Sequence, residues 1–258
     1  MNLGLQHKNA LVCGSTQGIG KASAIQLAAE GANVTLVARN EEKLKAVLAE
    51  LPNENQLHSY IVADFTNPLD LKEKLVASGS KFHVLINNTG GPAGGPVFNA
   101  QLDEFERAFT MHLKCNHVLV QAVVPFMKTE GYGRIINVIS TSVKQPLDGL
   151  GVSNTIRGAV ANWSKTMANE LGQFGITVNN VLPGATATER LNEIINNKAK
   201  KTGKSVEEVS EIMKNASPAK RFAQPEEVAN AVVFLASERA SFINGINVPV
   251  DGGRTKSL

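Results

Sequence analysis

The sequence predicts an α/β protein: a doubly wound, seven-stranded parallel sheet with helices on both faces, in a single domain spanning residues 1–258. Three observations carry that prediction. Short apolar runs rich in β-branched residues alternate with longer amphipathic stretches along the whole chain, the pattern of βαβ units around a parallel sheet. A glycine-rich turn, Gly14-Ser15-Thr16-Gln17-Gly18-Ile19-Gly20, joins the first apolar run to the first amphipathic stretch. No internal repeat, low-complexity tract or linker divides the 258 residues, a length that one large α/β domain accommodates.

The elements follow in order. Residues 9–14 read as the first strand and 18–30 as a helix ended by Gly31. Residues 33–38 form the second strand; 41–51 form a helix stopped by Pro52. The third strand is 59–63, followed by a helix over 69–78, and the fourth is 83–87. One long helix is expected over 102–128, Pro125 notwithstanding. Residues 134–139 give the fifth strand, 150–174 a second long helix and 176–181 the sixth strand. Two polar helical stretches, 189–201 and 205–214, read as an insertion. A helix over 225–237 and a strand over 247–250 complete the chain.

Composition narrows the function classes. The chain is 43% hydrophobic and 19% charged, with a formal net charge of +3. Its densest basic patch, Lys198 to Lys204, suits a solvated helix face, so no nucleic-acid partner is expected. Cys13 and Cys115 are its two cysteines; they lack metal-ligand or redox spacing and suit a reducing compartment, and no metal is expected. The first eight residues carry no apolar signal core and no glycine after Met1, and no apolar run reaches the ~20 residues of a membrane span. The expectation is a cytoplasmic protein without a membrane partner.

The glycine-rich turn points to a nucleotide. Glycine at 14, 18 and 20 allows a tight turn and close approach of backbone to a phosphate, and the helix that follows offers free N–H groups at its positive end. By itself such a turn is also a plain strand-to-helix connection. A second segment, Asn87-Asn88-Thr89-Gly90, follows the fourth strand. In a doubly wound sheet the ends of strands one and four flank the crevice where strand order reverses and ligands bind. Asp64 follows the third strand, placed to accept from an adenine amino group or to close an Asx turn.

With these segments, the chain resembles the short-chain dehydrogenase/reductases over nearly its whole length, and in particular the 3-oxoacyl-(acyl-carrier-protein) reductases. Gly14–Gly20 resembles that family's glycine motif, with Cys13 in place of its usual threonine. Asn87-Asn88-Thr89-Gly90 is similar to its Asn-Asn-Ala-Gly. Pro183 and Gly184, with Thr186 and Thr188, resemble the segment that holds the nicotinamide amide. Arg221-Phe-Ala-Gln-Pro-Glu-Glu-Val228 and Asn244-Gly-Ile-Asn-Val-Pro-Val-Asp-Gly-Gly253 resemble its C-terminal signatures. The resemblance implies a Rossmann fold and a bound nicotinamide dinucleotide. Cofactor choice falls at the end of strand two. An acidic residue there would hold a ribose 2′-hydroxyl; this chain has Ala38 and then Arg39. A guanidinium fits a 2′-phosphate bidentately, so NADP(H) is expected over NAD(H). The plainer reading of Arg39 is a solvent-facing charge at a helix start.

The resemblance also assigns a proton-transfer site, and here the chain departs from it. In the family a serine orients the carbonyl, a tyrosine donates the proton, a lysine one helical turn later holds the ribose and lowers the tyrosine's pKa, and an asparagine anchors a water. Register from Gly133-Arg134-Ile135 places the serine on Ser140, the tyrosine on Ser153, the lysine on Arg157 and the asparagine on His112. Ser153 and Arg157 are i and i+4, on one face of one helix. Tyr60 and Tyr132 are the chain's two tyrosines, in strand three and just before strand five, both expected far from the reacting carbon. A serine hydroxyl is shorter than a phenol and far harder to ionise, and arginine does not shuttle protons. Three readings stay open: an oxidoreductase on a small carbonyl or alcohol with a changed donor (His112, Lys144 or a water held by Ser153 or Arg157); a non-catalytic NADP(H)-binding sensor or partner subunit; and a scaffold that no longer binds cofactor. The plain alternatives are a surface or interface histidine at 112, an outward helical turn at 153–157 and a backbone-satisfied hydroxyl at Ser140.

Residues 90–96, Gly-Gly-Pro-Ala-Gly-Gly-Pro, are expected to line the crevice with bare backbone. The insertion at 189–217 resembles the family's substrate lid, with Leu191, Ile194, Ile195, Val206, Val209, Ile212 and Met213 able to pack over a substrate or to form an ordinary surface helix pair. The resemblance implies a homotetramer built on the two long helices, with a dimer possible, and Trp163 suits that interface or the core.

Overall fold

The structure, a computed structural model, describes residues 1–257. Among these, seven strands form one parallel sheet in the order β3-β2-β1-β4-β5-β6-β7. The strands are β1 (Asn9–Cys13), β2 (Asn33–Ala38), β3 (Ser59–Val62), β4 (Val84–Asn87), β5 (Gly133–Val138), β6 (Ile176–Pro183) and β7 (Asn247–Val250). Strand order reverses between β1 and β4, which are paired in register from Ala10↔Val84 to Val12↔Ile86.

Alternation along the strands sorts the core into two faces. On one side Ala10, Val12, Val34 and Leu36 pack with Leu27 of α1 (Gly18–Ala29), Leu44 of α2 (Glu41–Glu50) and Val228 and Val232 of α9 (Pro225–Ala236). On the other, Leu11, Cys13, Val37 and Leu85 meet α3 (Pro68–Ala77), α5 (Cys115–Glu130) and the far end of α6 (Gly151–Leu171) through Leu71, Leu75, Leu119, Met127 and Leu171. Two-sided burial is why these strands read as nearly continuous apolar runs.

Asparagines mark one level of the sheet. Asn87, Asn137, Asn180 and Asn247 are cross-strand neighbours on β4 to β7. Their amides bond in sequence: Asn87 Nδ2 to Asn137 Oδ1 at 2.8 Å, Asn137 Nδ2 to Asn180 Oδ1 at 3.0 Å, and Asn180 Nδ2 to Asn247 Oδ1 at 2.8 Å. Asn137 also donates to Ser164 Oγ of α6 at 2.8 Å. Buried amides need such partners.

Several boundaries differ from expectation. The long helix expected over 102–128 runs from Leu102 to Glu130, but as α4 (Leu102–Phe109), a π-helical turn at Thr110–Lys114, and α5. One extra residue in the turn rotates the side chains after it, and His112 sits at its middle. Pro125 is carried inside α5; the helix stops at Gly131, whose φ of +59° gives a left-handed cap. The helix expected over 150–174 ends at Leu171 and closes through a 3₁₀ turn at Gly172–Phe174. α3 starts at Pro68, capped by Asn67, whose side chain accepts from Asp70 N. β6 continues to Pro183. The two polar stretches are helices α7 (Glu189–Thr202) and α8 (Val206–Asn215). Leu191, Ile195, Ala199 and Val209 form a cluster of their own against Ala185, Met213 and Phe222; those apolar positions brace the two helices. Val206 and Ile212 stay exposed. No helix among the described residues is long and apolar enough to cross a membrane.

Candidate active site

The glycine turn and the end of β4 are built against each other. Gly14 has φ +60°, and a Cβ on it would lie 2.4 Å from the Asn88 carbonyl oxygen; a Cβ on Gly20 would lie 2.2 Å from the Gly14 carbonyl oxygen. Neither position admits a side chain without moving backbone. Asn88 Nδ2 spans the switch point, donating to the carbonyls of Cys13 and Gly14 at 3.4 and 3.3 Å. Ser15 is buried and accepts from Val37 N at 3.0 Å, pinning the turn to β2. Gln17 gives α1 no side-chain cap, so the first-turn N–H groups of α1 keep the polarity that suits a phosphate. Gly18, at φ +55°, turns beside Thr188: a Cβ there would be 3.0 Å from Thr188 Cγ2. Thr188 caps α7 by accepting from Leu191 N at 3.3 Å, so the insertion starts at the phosphate turn. Pro183 and Gly184 leave β6 tied to β7 by Gly184 N to Val250 O at 2.9 Å, and Thr186 is buried with its hydroxyl on the Gly184 carbonyl.

The two specificity positions at the other side are less engaged. Arg39 is exposed at the carboxyl end of β2 and makes no hydrogen bond or ion pair among the described residues. Asp64 Oδ1 accepts from Thr66 N at 2.9 Å, an Asx turn at the end of β3.

At the carboxyl ends of β4 and β5 the replaced residues converge. His112 is 2% exposed. Its Nδ1 meets Thr89 Oγ1 at 2.6 Å, and its Nε2 is buried with no partner among the described residues. Burial, and then the nearby Arg157 charge, hold its pKa well below the usual 6.5, so the ring is neutral at pH 7. That corrects the expectation of a histidine exchanging protons near neutrality. Arg157 is 8% exposed. Its Nη1 donates to Val138 O, the last carbonyl of β5, at 3.0 Å. Its Nε is buried without a partner, and no carboxylate among the described residues pairs with it. Burial first, then the Arg190 charge, pull its pKa down to about 10; it is still a cation at neutral pH. Ser140 is held by Ser142 N, which donates to its Oγ at 3.1 Å. The Ser140 hydroxyl proton is therefore left to be donated outward. Ser153 is half-buried on α6, one turn before Arg157.

Over this cluster lies the glycine-rich loop. Gly151 N bonds Gly95 O at 3.0 Å, locking the loop to the start of α6. Arg190 of α7 donates through Nη2 to Pro92 O at 2.6 Å, and its Nη1 pairs with Glu193. Gly90 is exposed. Lys144 is half-buried one turn after Ser140.

The tyrosines stand elsewhere. Tyr60 OH donates to Glu41 on the edge of the sheet, and Tyr132 OH donates to Ala236 O before the amino end of β5. Thr89, which the sequence places against the cofactor, also partners His112, a contact that no sequence motif signals.

Comparison with known proteins agrees with this geometry. The family described as enoyl-(acyl carrier protein) reductase matches residues 14–255. The NADPH-dependent reductase BacG of Bacillus subtilis (strain 168) is 30% identical over 98% of this chain and all of its own. The 3-oxoacyl-(acyl-carrier-protein) reductase FabG of Rickettsia bellii is 32% identical over 96% of this chain and 97% of its own. L-sorbose reductase from Gluconobacter frateurii, solved with NADPH and L-sorbose, superposes with a TM-score of 0.92 at 31% identity over the whole of both chains.

Proposed function

Since the chain belongs to the short-chain dehydrogenase/reductase family, and is thereby an oxidoreductase, we propose that it is an NADP(H)-dependent enzyme interconverting a carbonyl and an alcohol on a small molecule. One observation carries the catalytic reading: His112 and Arg157, which stand where the family has asparagine and lysine, are both buried and turned into the site, each with a polar atom left unpartnered. A surface scaffold would have no use for either. The glycine turn fits the cofactor, because bare glycine at 14 and 20 lets the turn pack tightly and leaves the first N–H groups of α1 without a side-chain cap. Gly14–Gly20 would hold the pyrophosphate, Arg39 the 2′-phosphate, Asp64 the adenine amino group, Asn88, Thr89 and Gly90 the nicotinamide side of the crevice, and Pro183, Gly184, Thr186 and Thr188 the carboxamide. Bound NADPH supplies a hydride to the carbonyl carbon.

The chain's own residues then manage the charge. Ser140 donates a hydrogen bond to the carbonyl oxygen. Arg157 places a fixed cation beside the oxygen as negative charge grows on it, in a site dry enough for that charge to count. The proton comes through a water held by Ser153, with Lys144 at the margin; neutral His112 orients that water through its unpartnered Nε2. Residues 189–217 act as the lid, anchored through Arg190 to Pro92. The missing phenol favours one alternative, an NADP(H)-binding sensor that does not turn over.

The test is parallel calorimetric titration with NADPH and NADH, followed by NADPH oxidation over a panel of carbonyls. Tight NADPH binding with turnover supports the enzyme, binding without turnover supports the sensor, and no binding sinks both. The assembly proposed is a cytoplasmic homotetramer, or a dimer, through α4, α5 and α6. Exposed Phe98 and Leu102, at 95% and 80%, and a hollow lined by Phe105, Phe109 and Ile156 support it. A monomer in sedimentation would refute it.

A further inference from the structure

Arg157 is a buried cation without an anion. A guanidinium inside a protein is ordinarily paired, because an unpaired buried charge costs several kcal/mol. Among the described residues no carboxylate lies within ion-pairing distance of it, and the charge that bears on it is a second cation, Arg190. One backbone carbonyl, Val138 O on Nη1, is its only hydrogen-bond partner among the described residues. The fork is thus half used. Nη1 is anchored; Nε is buried and empty; Nη2 makes no hydrogen bond and points past Gly91, where even a Cβ would stay 3.8 Å away. Nη2 is therefore the arm of the guanidinium left to a ligand, a charge-assisted donor suited to a carboxylate oxygen.

The cofactor does not supply that anion. Its pyrophosphate belongs on the Gly14–Gly20 turn after β1, and its 2′-phosphate at Arg39 after β2. Arg157 is anchored on the end of β5, two strands beyond β1 and about 10 Å across the sheet. What reaches that place from a dinucleotide is a ribose hydroxyl and a nicotinamide, neither anionic. The missing charge is left to the substrate.

Building on the function proposed above, the geometry points to a substrate that carries a carboxylate next to its carbonyl, an oxo acid or the matching hydroxy acid, with Arg157 as the carboxylate's receptor. Val138, whose carbonyl holds the guanidinium, lies two residues before Ser140, so both donors stand at one end of β5, and an acid with adjacent carboxylate and carbonyl is the smallest that presents a group to each. Arg190, bonded to Pro92 O across the loop from Arg157, adds positive potential at the mouth. Gly90, Gly91, Gly94 and Gly95 keep the intervening backbone bare, so an acid can lie against it.

The test uses oxamate, a carboxylate whose carbonyl is not reducible, and oxamide, its neutral counterpart. Each is titrated calorimetrically into the protein saturated with NADPH, for the native protein, Arg157→Gln and Arg157→Lys; NADPH affinity is measured separately by fluorescence. The expected result is oxamate binding at least about 30-fold tighter than oxamide, the size of a lost charge-assisted pair. The preference vanishes in Arg157→Gln and partly survives in Arg157→Lys, both variants still binding NADPH. Equal binding of the two probes, binding of neither, or a preference that persists in Arg157→Gln overturns the proposal. So does an Arg157→Gln variant that loses only NADPH affinity, since the arginine would then serve the ribose. Failure of the native protein to bind NADPH refutes the proposed function instead, and is read before either probe is added.

Discussion

Replacing His112 by glutamine should flatten the acid limb of the protein's stability curve. The imidazole is 2% exposed, and burial and the Arg157 charge keep its pKa well below 6.5. In the unfolded chain the same ring titrates near 6.5. The sign follows: a native pKa below the unfolded one means that the unfolded chain binds a proton the folded chain refuses. The contribution to stability is intact above about pH 6.5 and is lost as pH falls beneath it. With the native ring neutral throughout, one extra proton on the unfolded chain removes about 1.4 kcal/mol between pH 7.5 and 5.5. Urea unfolding of native protein and His112→Gln, at fixed protein concentration, measures this as a double difference. His83, half-buried with its pKa also lowered, and the carboxylates act alike in both proteins and cancel. The variant should lose about 1.4 kcal/mol less than the native protein across that interval. Parallel pH dependences would show that His112 is solvated or already charged in the folded state, and would overturn the neutral ring assigned to the site.

Arg39→Asp should weaken NADPH binding by about 100-fold, the loss of a charge-assisted phosphate contact plus a new repulsion, and should improve NADH binding; unchanged preference in calorimetry would reassign Arg39 to solvent. Gly20→Ala, in a helix where alanine is ordinarily favoured, should instead destabilise the protein and abolish NADPH binding, because its Cβ would sit 2.2 Å from the Gly14 carbonyl; thermal unfolding that holds or rises would contradict that contact. Asn137→Ala removes three buried hydrogen bonds, to Asn87, Ser164 and Asn180, and should cost about 3–5 kcal/mol by denaturant unfolding; a loss under about 1 kcal/mol would mean that water replaces them.

The sheet was legible because both its faces are covered: each strand announced itself as an apolar run, and the glycine turn fixed the first crossover. The π-helical turn was not. Its extra residue leaves no periodic signature across 102–128, and a histidine at its centre reads equally as a surface residue until the start of α6, with Arg157, packs against it. Site positions were legible as far as register carries. Counting from β5 reached Ser140, Ser153 and Arg157 because strand, loop and helix keep their lengths. What the side chains do there was not legible. The Val138 anchor of Arg157 and the Thr89 partner of His112 join residues 19 and 23 positions apart in sequence, and only packing decides such contacts. The Asx turn at Asp64 was legible for a local reason: Thr66 N lies two residues away.

The row of asparagines across β4 to β7 bears on how this half of the molecule comes into being. Its three amide bonds join residues 50, 43 and 67 positions apart, and each amide is satisfied on one side only by the strand that arrives after it. A chain that has docked β4, β5 and β6 but not β7 leaves Asn180 with a bare donor in a drying interior, so partial assemblies are penalised and the last strand completes what the first began. Distant pairings of this kind make folding slow. They should also make it concerted: amide hydrogens along β4, β5 and β6 exchange together, as one opening unit, and the carboxyl ends that carry Thr89, Ser140 and Gly184 become ordered in a single event.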